Sequence, residues 1–283
     1  VKSLIFPFAT LYVMACGLVA CAHEVERPRI LRLSDGVEIS FNEMLEDLRG
    51  VQLVFVGERH NQARHHQAQL AVIRALRDKG ISVAVGLEMF RSSHQATLER
   101  WSGGKLTEDA FEEIYYANWS FKWPLYRAVF LYAREQRLPM IGLNISPELT
   151  RQVAGQGFAS LTPEQIGELP EVSCDVDATY MAFIQRAFGV HGHGKERSFV
   201  HFCEAQMIWD TAMASNLLAF HKKNPQYTIV VLAGSGHAWK RGIPEQVRRR
   251  SDISYRVILP EIPESAESTA VTLEDADYVW LGL

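Results

Sequence analysis

Little in this sequence is in excess. Its 283 residues include four cysteines, too few to staple a domain of this size, and a chain this long buries a core without staples. Charge of neither sign dominates. Lys and Arg number 29 against 33 Asp and Glu, a net of −4, so no basic surplus argues for nucleic acid. No internal repeat and no low-complexity tract occurs, which excludes a solenoid or a collagen-like chain. With 47% hydrophobic and 22% charged residues the chain is not a disordered one. Several catalytic signatures are missing too. There is no G-x-G-x-x-G or Walker A phosphate loop and no G-x-S-x-G nucleophile elbow.

What is present begins with an atypical N-terminus. Residues 1–21 read VKSLIFPFATLYVMACGLVAC, and Lys2 is their only charge. A basic start, an apolar run and small residues at its end make a secretory signal, and the run is at the short edge of a membrane span. Leu18-Val19-Ala20-Cys21 is similar to a bacterial lipobox, in which Cys21 carries lipid and becomes the first mature residue. The simpler alternatives are a plain secretory signal or an uncleaved anchor, and Val13-Met14-Ala15-Cys16 is a poorer second lipobox. Residue 22 is Ala rather than Asp, which favours the outer membrane over the inner. Removing the leader takes one Lys with it and leaves the exported part slightly more acidic. Of the remaining thiols, Cys174 and Cys203 either pair in an oxidising compartment or stay apart. Cys203 falls in an apolar helical pattern and reads as a buried thiol.

Residues 22–35 read as a tether and 36–283 as one domain. Short β-branched runs recur at 51–56, 81–87, 138–143, 228–233 and 255–259, with 278–281 as one edge strand. Helical patterns lie between most of them, at 62–78, 107–119, 124–136, 162–168, 175–189 and 198–222. That alternation predicts an α/β fold, a mainly parallel central sheet covered by helices on both faces, with an additional helical subregion.

The polar residues fall at strand ends. The first run ends Gly57-Glu58-Arg59-His60, the second Gly86-Leu87-Glu88, the third Gly142-Leu143-Asn144 and the fourth Gly234-Ser235-Gly236-His237. In an open parallel sheet ligands sit beyond the carboxyl ends of the strands. Glu58, His60, Glu88, Asn144 and His237 are therefore expected on one rim. His60, Glu88 and His237 suit a divalent metal such as zinc. With Glu58 they equally suit acid–base hydrolysis, a metal-dependent hydrolase being one reading of the chain. A buried Glu88 needs a cationic partner or a raised pKa, and Arg59 and Arg91 are the candidates. Ser235 reads as a small turn residue rather than a nucleophile. His65 and His66 are weak ligand candidates, because His60 and His66 do not share a helix face.

A second group lies elsewhere. His191 and His193 sit on a glycine-rich loop, with Tyr180 eleven residues before His191. Tyr, His and Met are all axial ligand types for haem iron. Met207, with Trp209 and Met213, either lines an apolar ligand slot or is plain core, the latter being the commoner case. The aromatic run from Tyr115 to Tyr126 forms either a platform for a flat ligand or, preferably, the packed joint between two helices.

These pieces together resemble the ChaN-like haem-binding lipoproteins. The likeness rests on Gly57-Glu58-Arg59-His60 with His65-His66 and Gln69, and on Gly86-Leu87-Glu88-Met89-Phe90 with Gln95. It continues through Asn118-Trp119 to Tyr126, Leu143-Asn144, Gln206 with Trp209-Asp210 and Met213-Ala214, and Gly234-Ser235-Gly236-His237 with Gly242-Ile243-Pro244. It spans about residues 36–250. The resemblance implies haem binding linked to iron uptake, with haem in a pocket or at a subunit interface, tyrosine being the expected ligand type. Tyr180, His191, His193 and Met207 are the candidate ligands. It also implies kinship with the Tiki proteases and erythromycin-esterase-like enzymes, in which G-x-x-H elements and a glutamate form the catalytic or metal site. Here those are Gly57 with His60, Glu88, and Gly234 with His237. The partners implied are haem, a membrane through Cys21, a second copy of the chain and an outer-membrane haem or iron receptor.

Overall fold

The alternating runs assemble into one eight-stranded sheet in the computed structural model, which describes residues 28–169, 185, 198–261 and 271–283. The strands are β1 (Arg29–Arg32), β2 (Val37–Ser40), β3 (Leu53–Glu58), β4 (Val83–Arg91), β5 (Met140–Asn144), β6 (Thr228–Gly234), β7 (Tyr255–Pro260) and β8 (Tyr278–Leu281). Their order is β2-β1-β8-β7-β3-β6-β4-β5. From β8 to β5 every neighbouring pair is parallel, and only β1 runs antiparallel to its neighbours β2 and β8.

Alternation along the strands explains why both faces are covered. In β3, Val54 and Val56 enter one core while Leu53 and Phe55 enter another. In β6, Val230 and Leu232 point one way and Ile229, Val231 and Ala233 the other. Successive Cβ atoms leave a strand on opposite sides, so a strand buried on both faces reads as an unbroken apolar run. The first face is packed by α2 (Ala63–Asp78), α3 (Gln95–Ser102), α4 (Glu108–Asn118) and α5 (Trp123–Glu135). The second is packed by the long helix α8 (Phe199–Lys223) and by α10 (Ile243–Arg248), beyond the short turn α9 (Ser235–Ala238). A third, smaller core joins α6 (Pro147–Gln156), α7 (Pro163–Glu168) and α8 through Leu149, Val153, Leu161, Ala205 and Ile208. It is the additional helical subregion.

The helix ends follow local chemistry. Thr162 caps α7 in a capping box with Gln165, and Pro163 occupies its first turn. Thr107 caps α4, and Pro124 lies in the first turn of α5. A second capping box, Ser40 with Glu43, starts α1 (Phe41–Asp47).

Two expectations change. The sheet begins at Arg29, inside the stretch read as tether. Four residues with two arginines carry too little alternation to be seen, yet Ile30 is fully buried and the strand is paired on both sides. β8 is also no edge strand, because β1 covers it on one side and β7 on the other. Residues 1–27 and 170–184, which hold the expected leader, Cys21, Cys174 and Tyr180, lie outside the described residues, as do His191 and His193. Cys203 is fully buried.

Candidate functional site

The four motif-bearing strands, β3, β4, β5 and β6, are parallel neighbours, so their carboxyl ends meet. Two histidine–carboxylate pairs form there. Glu58 is the last residue of β3, in register with Gly234 of β6, and its side chain continues the face occupied by Val54 and Val56. Alternation sends Glu88 of β4 to the opposite face, two residues past Gly86.

Glu58 is held by four groups. His60 Nδ1 lies 2.7 Å from Oε1, and the Tyr126 hydroxyl donates to the same oxygen. Gln69 Nε2 donates to Oε2 at 2.8 Å, and His66 Nδ1 lies 3.1 Å from it. A carboxylate has about four acceptor positions, so this one is saturated. Burial alone raises the Glu58 pKa, but the hydrogen bonds from His60 and His66 outweigh it and hold the group well below the usual carboxylate range.

The charge states of the neighbouring histidines follow from their partners. Both ring nitrogens of His66 face acceptors, Glu58 Oε2 and the His60 carbonyl at 3.1 Å. Burial opposes its charge, but Glu58 prevails and its pKa is raised. His65, one residue earlier, accepts the Arg59 N–H on Nδ1 at 2.8 Å and must be neutral there; burial drives its pKa down to about 4. The pair read as weak ligand candidates thus serves the site indirectly. His66 completes the Glu58 cage and His65 fixes the Arg59 backbone.

On the other face Asp210 of α8 lies 2.6 Å from His237 Nδ1. His237 Nε2 points toward Glu88 Oε1 at 3.8 Å, while Glu88 Oε2 accepts the Gly234 N–H at 2.6 Å. Burial disfavours charge on His237, yet Asp210 and Glu88 carry its pKa up to about 9. Asn144 ties the rim to the helix. Its Nδ2 donates to the Glu88 carbonyl at 2.7 Å and its Oδ1 accepts from Trp209 Nε1. The partner of Glu88 is therefore not an arginine. Arg91 instead donates to Asn118 Oδ1 and the Ala117 carbonyl, because β4 carries it past the rim.

Gly234 is the joint between the pairs. A Cβ there would lie 2.7 Å from His60 Cε1, 3.0 Å from His60 Nε2 and 3.6 Å from Glu88 Oε2. The His60 ring is thus pressed onto the end of β6 with Nε2 turned inward. Its outer side meets Trp119 edge-on at 5.0 Å and Phe121 at 4.8 Å. Ser235 donates to the Glu58 carbonyl at 3.2 Å, as a turn residue does. The aromatic run is mainly the helix joint, since Tyr115, Trp123 and Tyr126 are buried, but Tyr116 is 47% exposed and Trp119 and Phe121 are half-buried.

Chemically, two imidazoles each fixed through Nδ1 to a buried carboxylate, with Glu88 3.8 Å from His237 Nε2, form an acid–base set. A metal is not supported. Among the described residues no group of three or more His, Cys, Asp or Glu is placed to hold an ion. Met207 is 1% exposed on α8. Asp210, Gln69, Tyr126 and Trp209 are site residues that strand ends could not reveal. The signal for Asp210 is an acid inside the apolar run Ile208 to Met213, since a buried carboxylate needs a partner.

A cleft of about 640 Å³ lies away from this chemistry, along the free edge of β5. There the Gln95 amide donates to the Met140 carbonyl at 2.9 Å and accepts the Gly142 N–H at 3.1 Å. It occupies the edge as a neighbouring strand would and blunts it against pairing.

Residues 44–247 match the family model described as haem-binding uptake, Tiki superfamily, ChaN. Among solved structures, the chain is similar to a ChaN of Campylobacter jejuni with cofacial haem binding, at 20% identity and a TM-score of 0.73, covering 90% of this chain and 97% of that one. It is also similar to an erythromycin esterase, EreC, as its H289N mutant in an open conformation, at 15% identity and a TM-score of 0.51, covering 89% and 82%. These two likenesses show the fold. No curated protein matches the chain. No helix among the described residues is long and apolar enough to cross a membrane.

Proposed function

We propose that this chain, which belongs to the ChaN haem-binding uptake family of the Tiki superfamily, binds haem and serves in haem or iron uptake. The observation that carries the reading is the family match across 44–247, which includes both histidine–carboxylate pairs. The rim suits a porphyrin in its chemistry. It offers aromatic surface at Trp119 and Phe121, held beside a His60 ring that is fixed through Nδ1 to Glu58. When bound, haem would supply an iron centre. The protein's part is to hold the ring, exclude water and supply an axial group.

Tyrosine is the expected axial ligand type, with Tyr180 its candidate; His191, His193 and Met207 are the other candidates, and of the four only Met207, buried on α8, lies among the described residues. Haem binds in a pocket or between two copies of the chain, a reading supported by the cofacial haems of the Campylobacter relative. Lipidation at Cys21 tethers the protein to the envelope, at the outer membrane, where it meets a haem or iron receptor. The lipobox-like Leu18-Val19-Ala20-Cys21 supports that placement.

Titration of the purified protein with hemin tests the reading. A saturable Soret band that is lost in Tyr180→Phe or in the His191→Ala, His193→Ala double variant is the expected result. A linear, unsaturated absorbance rise contradicts it.

A further inference from the structure

We propose that Tyr116, Trp119 and Phe121 form the ledge on which the face of a tetrapyrrole docks, with Arg59 and Lys122 receiving its carboxylates. The inference rests on the haem reading above and deepens it.

Four observations carry it. First, Tyr116 is 47% exposed, and no other tyrosine among the described residues is exposed; its hydroxyl accepts the Trp123 N–H at 3.0 Å, which fixes the ring on the surface. Second, Trp119 and Phe121 are each half-buried, lie 5.6 Å apart and pack on the first-face core. Tyr115, Trp123 and Tyr126 are buried in that core. A flat ligand therefore meets preorganised rings. Third, His60 closes one end of the ledge through contacts with both rings. Its Nε2 is turned toward Gly234, so this face offers stacking rather than an imidazole to the metal. Fourth, Arg59 and Lys122 are exposed, have no ion pair among the described residues and adjoin His60 and Phe121 in the chain. Exposed basic residues next in sequence to the ledge's aromatic and histidine residues are complementary to a planar, apolar ring that carries carboxylates.

The test uses iron-free protoporphyrin IX, which separates ring docking from iron ligation, alongside hemin, on the full chain. Fluorescence quenching should show saturable protoporphyrin binding. Trp119→Leu with Phe121→Leu keeps apolar bulk and removes the stacking faces, and should weaken it about tenfold. Arg59→Gln with Lys122→Gln touches only exposed groups and should weaken it about threefold, more at low salt than at high. Circular dichroism confirms that each variant is folded. If wild type binds hemin but protoporphyrin affinity is the same in all variants, the ledge is wrong and the haem reading stands. If wild type binds neither, the haem reading fails and takes the ledge with it. If the variants alter only self-association, the face belongs to a second copy and the proposal is overturned.

Discussion

The two histidine–carboxylate pairs stand at the same end of one sheet but are built for different duties. Glu58, on the first face, is closed on all sides by His60, His66, Gln69 and Tyr126. Glu88, on the second face, has one backbone N–H and a histidine at 3.8 Å. The difference comes from what each face supplies. The first face has α2 running beside it, so His66 and Gln69 on that helix reach back to β3. On the second face α8 contributes Asp210 to His237 rather than a donor to Glu88. A saturated carboxylate organises its surroundings, whereas an under-donated one retains capacity for a ligand or a proton. The comparison places structure on one face and reserve chemistry on the other.

The largest effect that could break this comparison is Glu58→Gln. It leaves two histidines without their counter-charge, and losing one partner of a buried ionic network costs about 3–5 kcal/mol. Glu88→Gln should cost clearly less. Urea unfolding measures both, and equal losses would remove the distinction. Next is pH. The raised folded pKa of His237 contributes stability that is fully present below its ordinary value of 6.5 and lost as pH rises through about 9, a loss of about 3 kcal/mol. Glu58 acts in the opposite sense. Its depressed pKa contributes above its ordinary 4.5 and fails in acid. Asp210→Asn should therefore flatten the alkaline limb of a melting-temperature profile. A change in the acid limb alone would contradict the assignment. Smallest is Gly234→Ala. The new methyl would displace the His60 ring, an overpacking cost of about 1 kcal/mol, and should perturb the His60 imidazole resonances in NMR while sparing those of His65. Unchanged His60 signals would mean that the ring does not rest on β6.

Much of this was legible in the sequence. The five apolar runs became strands within a few residues, because parallel strands buried on both faces leave an uninterrupted β-branched signal. The convergence of Glu58, His60, Glu88, Asn144 and His237 follows from their places at the carboxyl ends of parallel strands. What escaped were features that depend on contacts distant in sequence. Asp210 and Tyr126 belong to motif stretches, but their pairing with His237 and Glu58 shows only once the helices are laid on the sheet. β1 is too short and too charged to stand out, and its strand character comes from its neighbours. Arg59 and Arg91 were reasonable partners for a buried Glu88, but the Gly234 N–H and His237 reach it first. The identity of the iron ligand was not legible either, since position alone singled out Tyr180, His191, His193 and Met207.

Native mass spectrometry of the purified chain after incubation with hemin tests the central claim, that this is a haem binder, most directly. The account predicts a saturating species heavier than the apoprotein by whole haems, either on the monomer or on a dimer. Spectra that show only the apoprotein mass at every hemin concentration would contradict it.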